Sequence, residues 1–206
     1  MSERKTWTPS DVVDVSGPAA LLRNYLEQSY VRDCVTRVAG EGRIRIAYDV
    51  GCGFGRLTPV LAEQAARVVG FEREAQLVET ARRLLPNYEF IQVASLEQLP
   101  VPDHSAEFVM IFTVLQHMPD WNAEAVIEET LRVLAPGGFV LVVEETDAAL
   151  EAGDAEHAEF GYTKGRSWSW YARHFEPLRL IRMAPRIIEP GYPRADVGTY
   201  MLFGPA

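Results

Sequence analysis

Five consecutive apolar residues, Phe139-Val140-Leu141-Val142-Val143, follow the break Pro136-Gly137-Gly138 and constrain the fold more than any other feature of the chain. A strand without polar alternation needs cover on both faces, as a central strand of a helix-covered parallel sheet has. The segments before it alternate as such a sheet requires. Residues 44–50 read as a strand, after which Leu57, Val60, Leu61 and Ala65 recur at helical spacing, with Pro59 tolerated in the first turn. A second strand is predicted over 67–71, and a helix carrying Leu77, Val78, Ala81, Leu84 and Leu85 is stopped by Pro86. Strands follow over 89–93 and 108–112. Ala123, Val126, Ile127, Thr130, Leu131 and Leu134 then keep one helical face up to the Pro-Gly-Gly break.

Near the end, 178–183 and 198–203 read as strands joined by a Pro/Gly-rich connection too short for a crossover helix, so they should pair antiparallel. The predicted fold is α/β: a doubly wound, seven-stranded sheet, mostly parallel, with an antiparallel C-terminal hairpin. Before residue 40 one or two helices are expected, with Leu21, Leu22, Tyr25, Leu26, Val31 and Val35 packed on the sheet edge or over a ligand.

With 206 residues, 48% of them hydrophobic, the chain can build one substantial core, and one domain spanning 1–206 is expected. It divides into a helical cap over 1–40, a core over 44–145 and a C-terminal part over 146–206. The net charge of −9 argues against nucleic acid or an anionic membrane as partner, because both need a basic footprint. No apolar run follows the charges at 3–5 and no stretch is long enough to span a bilayer, so neither a signal peptide nor an anchor is expected. Cys34 and Cys52 fit neither a metal knuckle nor a disulfide framework, which makes a reducing, cytoplasmic setting the expectation. Glu144, Glu145, Asp147, Glu151, Asp154, Glu156 and Glu159 precede Lys164, Arg166, Arg173, Arg179, Arg182 and Arg186. Two solvated faces of opposite sign are the first reading, and an acidic lid is the sharper alternative.

The first strand runs into Gly51-Cys52-Gly53-Phe54-Gly55. In an open parallel sheet, ligands bind beyond the carboxyl ends of the strands, where the strand order switches. Alternating glycines let the backbone approach a ligand closely, and the next helix presents free N–H groups. A dinucleotide site needs G-x-G-x-x-G; here the spacing is G-x-G-x-G, with Asp49 before it. Glu72, just past the second strand, can accept hydrogen bonds from both ribose hydroxyls. That supports a nucleoside without choosing between the two kinds of ligand.

Five stretches in register make the comparison specific: Asp-Val-Gly-Cys-Gly-Phe-Gly-Arg-Leu-Thr at 49–58, Val-Val-Gly-Phe-Glu at 68–72, Leu-Pro-Val-Pro-Asp-His-Ser-Ala-Glu-Phe-Val at 99–109, Val-Leu-Gln-His-Met-Pro-Asp at 114–120 and Leu-Arg-Val-Leu-Ala-Pro-Gly-Gly at 131–138. In order and spacing, over about 44–145, the chain resembles the class I S-adenosylmethionine (SAM)-dependent methyltransferases, and within them the small UbiE-like domain of Rossmann-like fold. The resemblance implies SAM as cofactor and S-adenosylhomocysteine (SAH) as product, while the acidic surface and compact size favour a small-molecule acceptor. It places Asp49, Gly51, Cys52, Gly53 and Gly55 around the methionine part, Glu72 on the ribose and Arg73 beside the adenine. Where the family usually has an acid on the adenine amino group, this chain has Ser95, which can still accept a hydrogen bond while the Leu96 N–H meets a ring nitrogen. A neutral hydroxyl should hold the adenine less tightly than a carboxylate. Thr113 and Gln116 are expected at the methionine end.

His117 has two readings: a tie between loop and helix, or a general base facing the transferred methyl. Some relatives carry carboxylates in place of Thr113 and Gln116, forming a metal site with the histidine; here one ligand is left and no metal is expected. Trp7, Tyr25, Tyr30, Glu145, His157, Phe160, Tyr162, Trp168 and Trp170 are candidate walls for the acceptor, although Trp168, Tyr171 and Phe175 also fall at helical spacing and would pack on the sheet. His104 reads as an exposed turn residue, and His174 as helix surface or packing. An NAD(P)-dependent oxidoreductase on a similar sheet, and a SAM-binding protein without turnover, are the competing functions.

Overall fold

The computed structural model describes residues 17–40, 42–146, 155–157, 161–186 and 198–206. In chain order the elements are α1 (Gly17–Ala39), β1 (Ile44–Val50), α2 (Thr58–Ala62), β2 (Ala65–Glu72), α3 (Ala75–Leu84), β3 (Glu89–Gln92), β4 (Ala106–Phe112), a 3₁₀ turn (Leu115–His117), α4 (Asp120–Val133), β5 (Leu134–Glu144), β6 (Ala155–His157), β7 (Gly161–Thr163), α5 (Trp168–His174), β8 (Arg179–Pro185) and β9 (Thr199–Gly204). Seven of these strands form one sheet in the order β3-β2-β1-β4-β5-β9-β8. β9 runs antiparallel to both β5 and β8, and the other described pairings of this sheet are parallel. β6 and β7 form a separate antiparallel ribbon that the sequence pattern did not announce.

The period of two along each strand sends its side chains alternately to two layers. From β4, Val109 and Ile111 join a core with Val126 and Ile127 of α4 and Tyr171 and Phe175 at α5. Phe108, Met110 and Phe112 enter a second core with Val31 and Val35 of α1 and Val60 and Leu61 of α2. β5 is thus covered on both sides, as its apolar run requires.

Two boundaries differ from the predicted ones, each because pairing overrides local pattern. Ala65 opens β2, pairing with Ile44, and so leaves the short helix α2. Leu134 belongs to β5 and pairs with Ala106; the Pro-Gly-Gly stretch is a register irregularity within the strand, after which Phe139 pairs with Phe108. At the N-terminus, α1 buries Val31, Cys34 and Val35 but leaves Leu21 and Tyr25 about two-thirds exposed. Trp168 also faces outward, while Tyr171 and Phe175 carry the packing expected of that helix. Trp7, Phe160 and the connection 187–197 lie outside the described residues. Among the described residues no helix is long and apolar enough to cross a membrane.

Phe175 is fully buried and its ring stacks on Phe203 of β9 with centroids 4.8 Å apart. Phe175→Ala should therefore lower the unfolding free energy by about 3–5 kcal/mol through lost burial and the cavity left behind. Urea titration would show this as a lower midpoint with an unchanged slope.

Candidate functional site

β1 lies between β2 and β4, so the chain winds outward to β3 and then returns to the other side of β1. The crevice at the carboxyl ends of these strands is the place where such a sheet can hold a ligand. Gly51 N and Cys52 N both donate to the Phe71 carbonyl, at 2.8 and 3.0 Å, and tie the start of the glycine loop to β2. Gly51 has φ +73°, and a Cβ there would stand 2.4 Å from Val114 Cγ2. Gly55 has φ +82° and would push a Cβ to 2.6 Å from the Phe90 ring. Both positions are closed to a side chain by conformation and by space.

Glu72 ends β2 with its carboxylate fixed by the loop. Oε2 accepts from Gly53 N at 3.0 Å, and Oε1 accepts from Arg73 N and Glu74 N at 2.7 and 2.9 Å. The group therefore waits in place at the crevice mouth, where a ribose edge can meet it. A cleft of about 510 Å³ opens beside it, lined among others by Arg73, Ser95, Leu96, Thr113, His117 and Met118. That volume lies within the roughly 300–1,000 Å³ typical of small-ligand sites. Ser95 Oγ already accepts from Glu97 N at 3.1 Å, which sets the turn bearing Leu96. Asn122 of α4 donates to the Glu97 carboxylate and closes the far side.

On the other side of the loop is a smaller pocket lined by Asp49, Gly51, Cys52 and Gly53 together with Arg23, Arg56, Phe112 and Thr113. Asp49 is buried and accepts from Thr58 Oγ1 at 2.7 Å. Burial pushes its carboxyl up to about 6, with the Thr58 hydrogen bond and the Arg56 charge opposing the rise. Burial likewise pushes the Cys52 thiol well up, which keeps it protonated and unreactive. Thr113 joins the two pockets at φ +53°, a strained conformation for a β-branched residue.

That strain is held by a carboxylate read from sequence only as part of an acidic run, either a solvated face or a lid. Glu144, at the end of β5, is fully buried. Its Oε1 accepts from Val114 N and Leu115 N, each at 2.9 Å, and its Oε2 from Gln116 N at 3.0 Å. It thereby caps the turn that carries the predicted methyl-facing residues. Burial pushes its carboxyl up to about 7, against those three backbone hydrogen bonds and the Arg166 charge. Arg166 is also buried rather than solvated; it donates to the carbonyls of Leu115 and Met118 at 2.8 and 2.6 Å and pairs with Asp120 at 2.9 Å. The visible signal for Glu144 was an acid at the end of an apolar central strand, the same position that Glu72 takes on β2.

Most predicted cofactor residues come together here: Asp49, Gly51, Cys52, Gly53, Glu72, Arg73, Ser95, Leu96 and Thr113 line one pocket or the other, with Gly55 behind the loop against Phe90. Gln116 departs from the expected placement. It is buried, lines neither pocket, and its Oε1 accepts from Glu145 N at 3.0 Å. His117 is exposed at the cleft, with its Nε2 3.4 Å from Gln116 Nε2. No group of three or more His, Cys, Asp or Glu side chains suited to a metal occurs among the described residues.

An open α/β sheet with a glycine loop at its switch point and a carboxylate fixed after the second strand defines a nucleoside-binding domain of the Rossmann-like class. Comparison with known proteins narrows the class. Residues 48–142 match the methyltransferase domain family, and the comparisons support a class I SAM-dependent methyltransferase. It is 35% identical over 98 residues to a probable S-adenosylmethionine-dependent methyltransferase of Mycolicibacterium smegmatis, across 48% of this chain and 37% of that protein. It is 34% identical over 113 residues to a trans-aconitate 2-methyltransferase of Azoarcus sp., across 54% of this chain and 43% of that protein. The match thus spans about two-fifths of the length of these relatives. The crystal structure of the N-methyltransferase NodS from Bradyrhizobium japonicum in complex with SAH has the same fold, with TM-score 0.70 and 15% identity over 95% of this chain and 96% of that one.

The Glu144 carboxyl makes a pH signature. Its folded value of about 7 lies above the ordinary 4.5, so its contribution to stability is full below about pH 4.5 and is lost as pH rises through about 7. In Glu144→Gln the fall in unfolding free energy across that window should be shallower by up to about 1.4 kcal/mol per pH unit, as measured by urea titration at several pH values. An unchanged slope would mean that Glu144 does not titrate in this window.

Proposed function

We propose that this chain transfers the methyl group of SAM to an oxygen, nitrogen or carbon nucleophile of a small molecule. The observation that carries the reading is the Glu72 carboxylate, held by three backbone N–H groups at the mouth of a nucleoside-sized cleft. The residues present fit the donor. Glu72 would hold the ribose; Ser95 and Leu96 would meet the adenine; Gly51 and Gly53 clear room for the chain that carries the sulfonium.

SAM supplies a methyl group on a positively charged sulfur, which leaves as a neutral thioether when the acceptor's electron pair takes the carbon. The protein's share is placement, and orientation alone supplies roughly 7–11 kcal/mol in well-aligned systems. Thr113 and the Glu144-capped turn form a rigid wall where the two pockets meet. His117, exposed at that wall, would take a proton from a nucleophile that arrives protonated. The net charge of −9 supports a small molecule over a nucleic acid as acceptor.

SAM and SAH, but not NAD, should raise the melting temperature of the protein, and SAH should form when a panel of phenols, amines, acids and quinones is supplied with SAM. Glu72→Ala should weaken SAH binding at least about tenfold in calorimetry, the loss of a charge-assisted hydrogen-bond pair. Stabilisation by NAD alone would replace this reading with an oxidoreductase; SAH binding without release on any acceptor would make the chain a binding protein.

A further inference from the structure

Among the described residues, three carboxylates line the large cleft, those of Glu72, Glu74 and Glu97. Two of them are engaged. Glu72 accepts from three backbone N–H groups, and Glu74 Oε1 lies 3.2 Å from Arg73 Nη2. Glu97 differs from both. It is half-buried, its Oε1 accepts from the Asn122 amide, and its Oε2 has no hydrogen-bond partner among the described residues. A carboxylate whose one partner is a neutral amide keeps acceptor capacity for a ligand, and hydrogen bonds to an ionised acceptor are the stronger kind.

The local fold presents this carboxylate together with a free donor. Ser95 Oγ accepts from Glu97 N at 3.1 Å, the side-chain-to-backbone bond by which serine sets a tight turn. Between them, Leu96 lies outside any helix or strand, and its N–H makes no hydrogen bond among the described residues. Buried N–H groups in folded proteins are nearly always paired, so an open one at the wall of a cleft points to a ligand acceptor. Asn122 holds Glu97 from 25 positions away and is itself fixed at the start of α4, where its N–H donates to the Pro119 carbonyl at 3.1 Å. Leu77, Leu96, Val114 and Val126 are buried and line the same cleft, which gives a flat ring apolar surface to lie on.

An open donor on Leu96 and an open acceptor on Glu97 are the complement of one purine edge. Adenine offers a ring nitrogen as acceptor beside an amino group as donor, whereas a 6-oxopurine offers a ring N–H beside a carbonyl and would set that carbonyl oxygen against the carboxylate. We propose that Glu97, held in place by Asn122, is the residue that selects adenine, accepting a hydrogen bond from its amino group while the Leu96 N–H meets the adjacent ring nitrogen. This rests on the reading of the cleft as the SAM site, and it relocates the acid that position 95 lacks. The Ser95 hydroxyl is spent on the turn, and the carboxylate arrives two positions later. Asn122 acts through Glu97 and is a positioning residue; it ties recognition of the base to α4.

The test uses the full chain and two nucleosides that differ only at the purine edge, 5′-methylthioadenosine and 5′-methylthioinosine, measured by calorimetry. The adenine form should bind at least about tenfold more tightly. Glu97→Gln should bring the ratio to within about threefold, because an amide can turn its N–H toward the oxo group, and Asn122→Ala should lower the ratio at least about threefold. A substitution that merely loosens the fold weakens both nucleosides together and leaves their ratio where it was. Equal binding of the two by the native chain overturns the proposal, as does a preference that survives Glu97→Gln. A preference lost in Ser95→Ala but kept in Glu97→Gln would also overturn it and make the serine the acceptor. Glu97-dependent selection of adenine without binding of SAM or SAH would leave the nucleoside site standing and remove the methyl-donor reading. Binding of SAH with a base preference indifferent to Glu97 would do the reverse.

Discussion

The parallel register of β1 with both of its neighbours sets everything else in the site. Val50 pairs with Phe71 on one side and Ile111 on the other, so three strands end at one level. The residues at or just beyond those ends, Gly51, Glu72 and Phe112-Thr113, are therefore brought to one crevice from separate parts of the sequence. A one-residue slip of either neighbour would turn its buried faces over, which two apolar cores forbid. The cores on the two faces thus specify the site's geometry as well as the fold's stability.

Three buried carboxylates around this crevice meet burial in different ways. Glu27 is surrounded by guanidiniums and stays ionised. Asp49 has one hydroxyl and a more distant Arg56 and is pushed upward. Glu144 is satisfied by three backbone N–H groups, yet burial still raises it, because dipoles replace water less completely than a full opposite charge does. The consequence is a division of work. Glu144 fixes backbone, at Val114, Leu115 and Gln116, and Glu27 fixes cations, so the first shapes the wall of the cleft and the second its potential.

Much of the fold and half of the site were legible in the sequence. The glycine loop, Glu72 and the Ser95-Leu96 turn sit at the ends of strands whose apolar runs are plain, and local spacing carries that information. What was missed depends on contacts that no local window contains. Arg186 and Glu27 are 159 positions apart, and Glu144 meets Val114 across 30. Read along the chain, Glu144 began an acidic run and Arg166 and Arg186 belonged to a basic one; in the fold all three leave the surface and become interior partners. Gln116, expected at the methionine end, lines neither pocket for a related reason: its side chain is drawn to Glu145 N just past β5. Ala65 and Leu134 kept a helical period and became strand residues because Ile44 and Ala106 offered backbone pairing.

The same distinction separates the two pockets of the site. The larger cleft is built from segments that each leave one strand of the sheet, so it is as rigid as the sheet and readable from short motifs. The smaller pocket draws on Arg23 and Glu27 from α1, Arg56 from the loop after β1, Phe112 from β4 and Arg186 beyond β8. Their convergence depends on the packing of α1, whose Val31 and Val35 share a core with Phe112, Val143 and Tyr200 and whose Tyr30 stacks on Tyr200. Substitutions in α1 can therefore alter the charge and shape of this pocket while leaving the glycine loop and Glu72 in place.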